Sequence, residues 1–216
     1  MRVCLCRLTF ALMATVFVAS RANATSITFN LDHGATGPVG NGGTITLDDT
    51  LGGPNTVHVL VTLNDGYKFV KTGAGDALAF NLSGDPAITI TDITSGFAIG
   101  PTHVSEPPFG TFNYSVSCTT GCGNGGSAPN PGPLDFDVVL TGITLESFVV
   151  NSSDYYFASD LIGPGPTGVL RTGNMGALGG DRTTDIAAVP EPASLTLLGT
   201  GLMYVARRFR VARWQR

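Results

Sequence analysis

The sequence predicts an all-β fold, an antiparallel β-sandwich, on three observations. Short runs alternate apolar and polar residues with a period of two, clusters of Gly, Pro, Asn and Asp separate them, and no amphipathic helical pattern occurs across residues 25–189. Period two sends successive side chains to opposite faces of a strand, so each run buries one face and leaves the other to solvent. About ten such runs in one body call for two sheets packed face to face, which gives every strand a buried side. A jelly-roll-like arrangement is one form of this architecture, and a closed barrel is the competing form.

The runs follow in order. "SITFNL" aligns Ile27, Phe29 and Leu31 on one face, and residues 43–47 form the next candidate. "TVHVLVTL" aligns Val57, Val59, Val61 and Leu63 and sends His58 to the opposite, solvent-facing side. Residues 67–71, "ALAFNL" with Leu78, Phe80 and Leu82, residues 87–93, and "TFNYSV" with Phe112, Tyr114 and Val116 continue the pattern. Residues 134–140, 146–150 and 155–159 complete it. In the last run Tyr155 and Phe157 share a face and Tyr156 takes the other, which reads as core on one side and surface on the other. "DHGATGPVGNGG", "GPTHVSEPPFG", "GCGNGGSAPNPGP" and "LIGPGPTG" are the connecting loops.

The two ends differ in kind from this body. Arg2 and Arg7 precede an apolar stretch over residues 8–19, followed by small residues at Ala22 and Ala24. That is the layout of a signal peptide over residues 1–24, cleaved after Ala24 by signal peptidase once the secretion translocon has engaged it; a retained anchor is the competing reading, and the stretch is short for one. Residues 25–182 then make up the exported domain, and residues 183–189, poor in bulky side chains, read as a flexible linker. Across residues 25–189 there are 15 acidic residues against 4 basic ones (Lys68, Lys71, Arg171 and Arg182), a balance of −11. The other arginines all lie in the terminal segments, so the body has no attraction for nucleic acid phosphates.

Cysteine usage fits export. Beyond the signal peptide only Cys118 and Cys122 remain, and an oxidising compartment favours a disulfide between them. A metal or redox pair is the competing reading, although the spacing holds three intervening residues and no second Cys/His pair lies near.

Residues 190–216 carry the most specific signal. Pro190, Glu191 and Pro192 lead into an uncharged run over residues 193–206 and then into Arg207, Arg208, Arg210, Arg213 and Arg216. As a helix the run spans about 21 Å at about 1.5 Å per residue, against a hydrocarbon core of about 30 Å. It reads as a short transmembrane helix that halts in the bilayer, with the arginines held on the cytoplasmic side. The two prolines fix φ and remove backbone donors, which keeps Glu191 in an extended segment open to an enzyme cleft.

This order of triplet, apolar run with Gly199 and Gly201, and basic end resembles the PEP-CTERM sorting signal, which exosortases recognise in Gram-negative bacteria that produce exopolysaccharide. The resemblance implies a protein held transiently in the inner membrane, processed near the triplet by an exosortase, and delivered to the cell surface or the extracellular matrix, where exopolysaccharide is an expected partner. Pro190, Glu191 and Pro192 are then recognition residues of a substrate; an ordinary tail anchor is the alternative. "DGYKFVKTGAGDALAFNL", "NPGPLDFDVVL" and "YYFASDLIG" also resemble the body of a subgroup of such proteins, a likeness that implies no activity.

No catalytic residues are identified. His33, His58 and His103 are the only side chains with bases for neutral pH, and no nucleophile elbow, zinc-helix motif or phosphate loop occurs. The expectation is a protein that is not an enzyme, with no cofactor. The alternative function is a carbohydrate-binding module, calcium-assisted through carboxylates such as Asp135 and Asp137, which alternate on one strand face, or Asp32, Asp48 and Asp49 beside loops. A solvated acidic surface is the competing reading of those carboxylates.

Overall fold

The computed structural model describes residues 24–34, 36–73, 75–123 and 126–186. Residues 1–23 of the expected signal peptide, residues 187–189 of the expected linker and the whole of 190–216 lie outside the described residues, and among the described residues no helix is long and apolar enough to cross a membrane.

The described chain is all-β, and every strand pair is antiparallel. Its strands are β1 (Ala24–Asn30), β2 (His33–Gly34), β3 (Gly43–Asp48), β4 (Thr56–Leu63), β5 (Lys68–Phe69), β6 (Leu78–Phe80), β7 (Thr89–Thr91) and β8 (Phe97–Ile99). They continue as β9 (Val104–Ser105), β10 (Thr111–Phe112), β11 (Tyr114–Cys118), β12 (Leu134–Val139), β13 (Tyr155–Pro164), β14 (Leu170–Leu178) and β15 (Arg182–Ile186). One sheet runs β15-β1-β3-β4-β12-β7; the other runs β2-β14-β13-β6-β11-β8, with β5 also on β13. Each sheet has its own edge strands, so the pair is an open sandwich and not a closed barrel.

The alternation predicted this packing. Ile27, Phe29, Ile45, Leu47, Val57, Val59, Val61 and Phe136 from the first sheet meet Leu78, Phe80, Tyr114, Val116, Phe157 and Leu161 from the second in one buried cluster. Leucine and aromatic side chains removed from water at about 25 cal/mol per Å² of apolar surface are the dominant favourable contribution to this fold.

A third layer was not foreseen. Strands β9 and β10 form a separate hairpin that packs on the outer face of the second sheet, where Val104, Phe109 and Phe112 bury Ala79 and Ala158. The part of that sheet around Ala79 and Ala158 is therefore covered on both faces.

Three local readings need correction. Residues 146–150 are not a strand: Leu145–Ser147 is a single 3-10 turn, because the Ser147 backbone N–H donates to Thr144 O and its hydroxyl accepts the Thr144 N–H, after which Phe148 bridges to Leu82. Tyr156 is not a surface residue: the register shifts between Tyr155 and Phe157, and that bulge turns Tyr156 toward the core, 4.9 Å from the Phe29 ring. The span 183–186 of the expected linker belongs to β15, which adds to the sheet edge beside β1 with Ala24 opposite Ile186 and Thr28 opposite Thr183. Small polar side chains suit an exposed edge strand as well as they suit a tether, so bulk alone does not separate the two.

Candidate functional site

Asp135 and Asp137 project from β12 onto the outer face of the first sheet, as their alternation predicts. His58, the cross-strand partner of Asp137 on β4, sits between them, with Nδ1 2.8 Å from Asp137 Oδ1 and Nε2 3.3 Å from Asp135 Oδ1. The two carboxylates are thus engaged by an imidazole. Among the described residues no three Asp, Glu, His or Cys side chains form a ready metal-binding set. Asp48 lies opposite His58 on the other neighbouring strand, where its Oδ1 instead accepts from the Thr50 backbone and hydroxyl at 2.7 and 2.6 Å, and Asp32 lies 2.6 Å from His33.

Cys118 and Cys122 are disulfide-bonded, with Cα atoms 6.0 Å apart. Cys118 ends β11 and the bridge closes only the turn that follows it. Chain entropy restricted by so small a loop stabilises by about 2 kcal/mol at most. Reduction is therefore expected to lower the thermal midpoint by only a few degrees and to leave far-ultraviolet circular dichroism unchanged. Complete unfolding on reduction would show that the bridge holds the domain together.

The aromatic run gives no exposed platform. Phe157 is fully buried, Tyr156 is packed on the core, and Tyr155 meets Phe109 at 4.8 Å under the β9–β10 hairpin.

Two features escaped the sequence reading. The first is a cleft of about 470 Å³ between the edge strands β7 and β8, with Ile88, Ile90 and Ile99 on its walls and the Asp85–His103 pair, 3.2 Å apart, at its rim. Tyr114 also lines it and donates its hydroxyl to Pro86 O at 2.5 Å; burial, then Asp85, raises its phenol pKa. The size is that of a small-molecule site.

The second is a set of three buried carboxylates beneath the hairpin. Asp76 precedes β6, Glu106 lies in the hairpin turn and Asp160 lies on β13; their exposures are 3%, 0% and 0%. Glu106 Oε1 accepts the Asp76 backbone N–H at 2.9 Å, while its Oε2 is buried without a hydrogen-bond partner. Asp76 accepts from the Ser117 hydroxyl, and both oxygens of Asp160 accept from the Thr72 hydroxyl at 2.8 and 2.7 Å. Burial foremost, and then the neighbouring Asp76 and Asp160, push Glu106 up to about 8, against the hydrogen bonds from the Asp76 N–H and the Asn174 amide. Burial likewise raises Asp160 to about 6 despite its bonds from Thr72. A small cleft lined by Thr72, Gly75, Pro107 and Asn174 lies beside the set. Each acid looks like an ordinary loop or strand residue in sequence; a buried Asp160 in an otherwise apolar stretch of β13 is the one local hint.

Pro190, Glu191, Pro192, Arg207, Arg208 and Arg210 lie outside the described residues, as does Ala22, and Ala24 is the first residue of β1. An antiparallel all-β body whose last strand ends four residues before a Pro-Glu-Pro triplet, an apolar run and arginines has the layout of an exported protein with a C-terminal sorting segment. Residues 188–211 match the family model of the PEP-CTERM protein-sorting motif, which makes this chain similar to exosortase-targeted, membrane-transiting proteins of Gram-negative type. Comparison with curated proteins and with solved structures found no match for the chain.

Proposed function

We propose that this chain is a non-enzymatic cell-surface or extracellular-matrix protein that an exosortase processes and that associates with exopolysaccharide. The observation that carries the reading is the sorting motif at residues 188–211. The body supports it in two ways: a strongly acidic, soluble-type surface, and a disulfide of the kind made outside the reducing cytoplasm.

The test compares the intact mass and cell fraction of the protein in cells with and without their exosortase. A product shortened from the Pro-Glu-Pro region onward only when the enzyme is present is the expected result, and replacement of Pro190, Glu191 and Pro192 by alanine is expected to abolish it. An intact tail in both strains would leave a plainly anchored β-domain.

A further inference from the structure

We infer that the β9–β10 hairpin is latched to the second sheet by a proton held among the buried carboxylates of Asp76, Glu106 and Asp160, and that loss of this proton in alkaline medium lifts the hairpin and uncovers the apolar patch beneath it.

The geometry carries the inference. The three acids come from three separate stretches of chain, before β6, in the hairpin turn and on β13, and among the described residues none of them forms an ion pair. Buried charge is sustained when a counter-charge pairs with it; otherwise the group keeps its proton. Every group that faces Glu106 is neutral or acidic: Asp76 before β6, Asp160 on β13, and the Asn174 amide on β14. Ser117 and Thr72 stand behind Asp76 and Asp160, and Tyr155 packs on the hairpin through Phe109. His103, at the base of the hairpin, is exposed and turned to Asp85. We assign the proton to Glu106 Oε2, which is buried without a hydrogen bond of its own, the Asn174 amide being a donor side chain near the carboxyl; the upward displacement of Glu106 to about 8, despite that amide, agrees with the assignment.

The hairpin has few other fastenings. Asn174 Nδ2 donates to Pro107 O at 3.1 Å, Asn151 Nδ2 donates to Phe109 O at 2.7 Å and to Thr111 O at 3.4 Å, and Val104, Phe109 and Phe112 supply its apolar contacts. When Glu106 gives up its proton to solvent, a carboxylate is left buried beside Asp76 and Asp160 with no counter-charge, and opening this outermost layer hydrates it. Ala79 and Ala158 then face water, together with the released Val104, Phe109 and Phe112. A surface matrix protein with such a layer would expose an adhesive apolar patch only where the medium is alkaline.

Hydrogen exchange of the purified exported protein tests this between about pH 6 and about pH 9, corrected for intrinsic rates. The Glu106 N–H, bonded to Gly110 O, and the Phe109 N–H, bonded to Glu106 O, report the hairpin directly. Their protection is expected to fall roughly tenfold or more above about pH 8, while amides of β3 and β4 keep theirs. Glu106→Gln keeps the shape without the titration, and its hairpin protection is expected to stay flat. Should that variant not fold, Asp160→Asn removes one repelling carboxylate and is expected to give a smaller loss that levels off at lower pH. Constant protection in the unaltered protein, or an equal loss in Glu106→Gln, would overturn the inference. So would calcium restoring protection at high pH and a chelator removing it, because a cation would then occupy the cluster.

Discussion

Replacing Phe80 by alanine is expected to destabilise the domain by about 3–5 kcal/mol, the range for deleting a buried aromatic side chain from a core. Phe80 is fully buried on β6, with Tyr114 and Phe157 as its cross-strand partners. Its ring stacks 5.4 Å from Tyr114, lies 5.6 Å from Phe148, and reaches Phe136 of the opposite sheet at 6.0 Å. Those neighbours are held by two different sheets, so the space left behind has little means of closing, and the cavity cost adds to the lost transfer energy. Against a total stability of about 5–15 kcal/mol for a domain, this single change removes a large share. Urea unfolding measures it: the midpoint is expected to fall with an unchanged slope. Ile99→Ala on the exposed edge strand β8 serves as the contrast, with an expected change within about 0.5 kcal/mol, since Ile99 is 61% exposed. Equal effects from the two substitutions would mean that the aromatic cluster is not the centre of the fold.

The second large effect is on stability against pH. Unfolded, Glu106 titrates near its ordinary 4.5, whereas in the folded domain burial and the two neighbouring aspartates push it up to about 8. Asp160, raised from 3.8 to about 6 mainly by burial, acts in the same direction. Between these values the folded domain binds protons that the unfolded chain has released, so stability must fall as pH rises. The contribution of Glu106 is complete below about pH 4.5 and is lost as pH climbs through about 8; that of Asp160 fades over about pH 4 to 6. The combined decline is on the order of a few kcal/mol between mildly acidic and alkaline solution. Urea midpoints taken across that range are expected to decrease steadily, and Glu106→Gln is expected to flatten the upper part of the curve. A midpoint that rises with pH would mean that the carboxylates are ionised and satisfied in the folded state.

Ala24 stands opposite Ile186 on neighbouring strands, so the two described ends of the domain lie side by side. Loss of the β1–β15 edge on denaturation therefore frees both described ends at once.

How far residues could be read one by one depended on the range of the interaction that governs them. Alternation is a local property, and it marked Ile27, Phe29, Val57, Val59, Val61, Phe80 and Val116 as core; all are buried. Strand β14 was missed because "LRTGNMGAL" is interrupted by glycine, whose lack of a side chain hides the period. Tertiary contact explains Gly176: a Cβ there would stand 2.7 Å from the Tyr155 ring and 2.8 Å from Phe109 of the overlying hairpin.

The sequence by itself determined the all-β class, the inward and outward faces of most strands, the pairing of Cys118 with Cys122, and the sorting motif, because each is written in neighbouring residues or in a short ordered segment. Only the tertiary structure decided that Tyr156 turns inward at a bulge, that residues 183–186 join the sheet, and that His58 stands between Asp135 and Asp137. It alone decided the buried acids as well: Asp76 and Glu106 are 30 residues apart, and Thr72 and Asp160 are 88 apart. Burial and charge proximity arise when distant strands pack, and no window along the chain contains them.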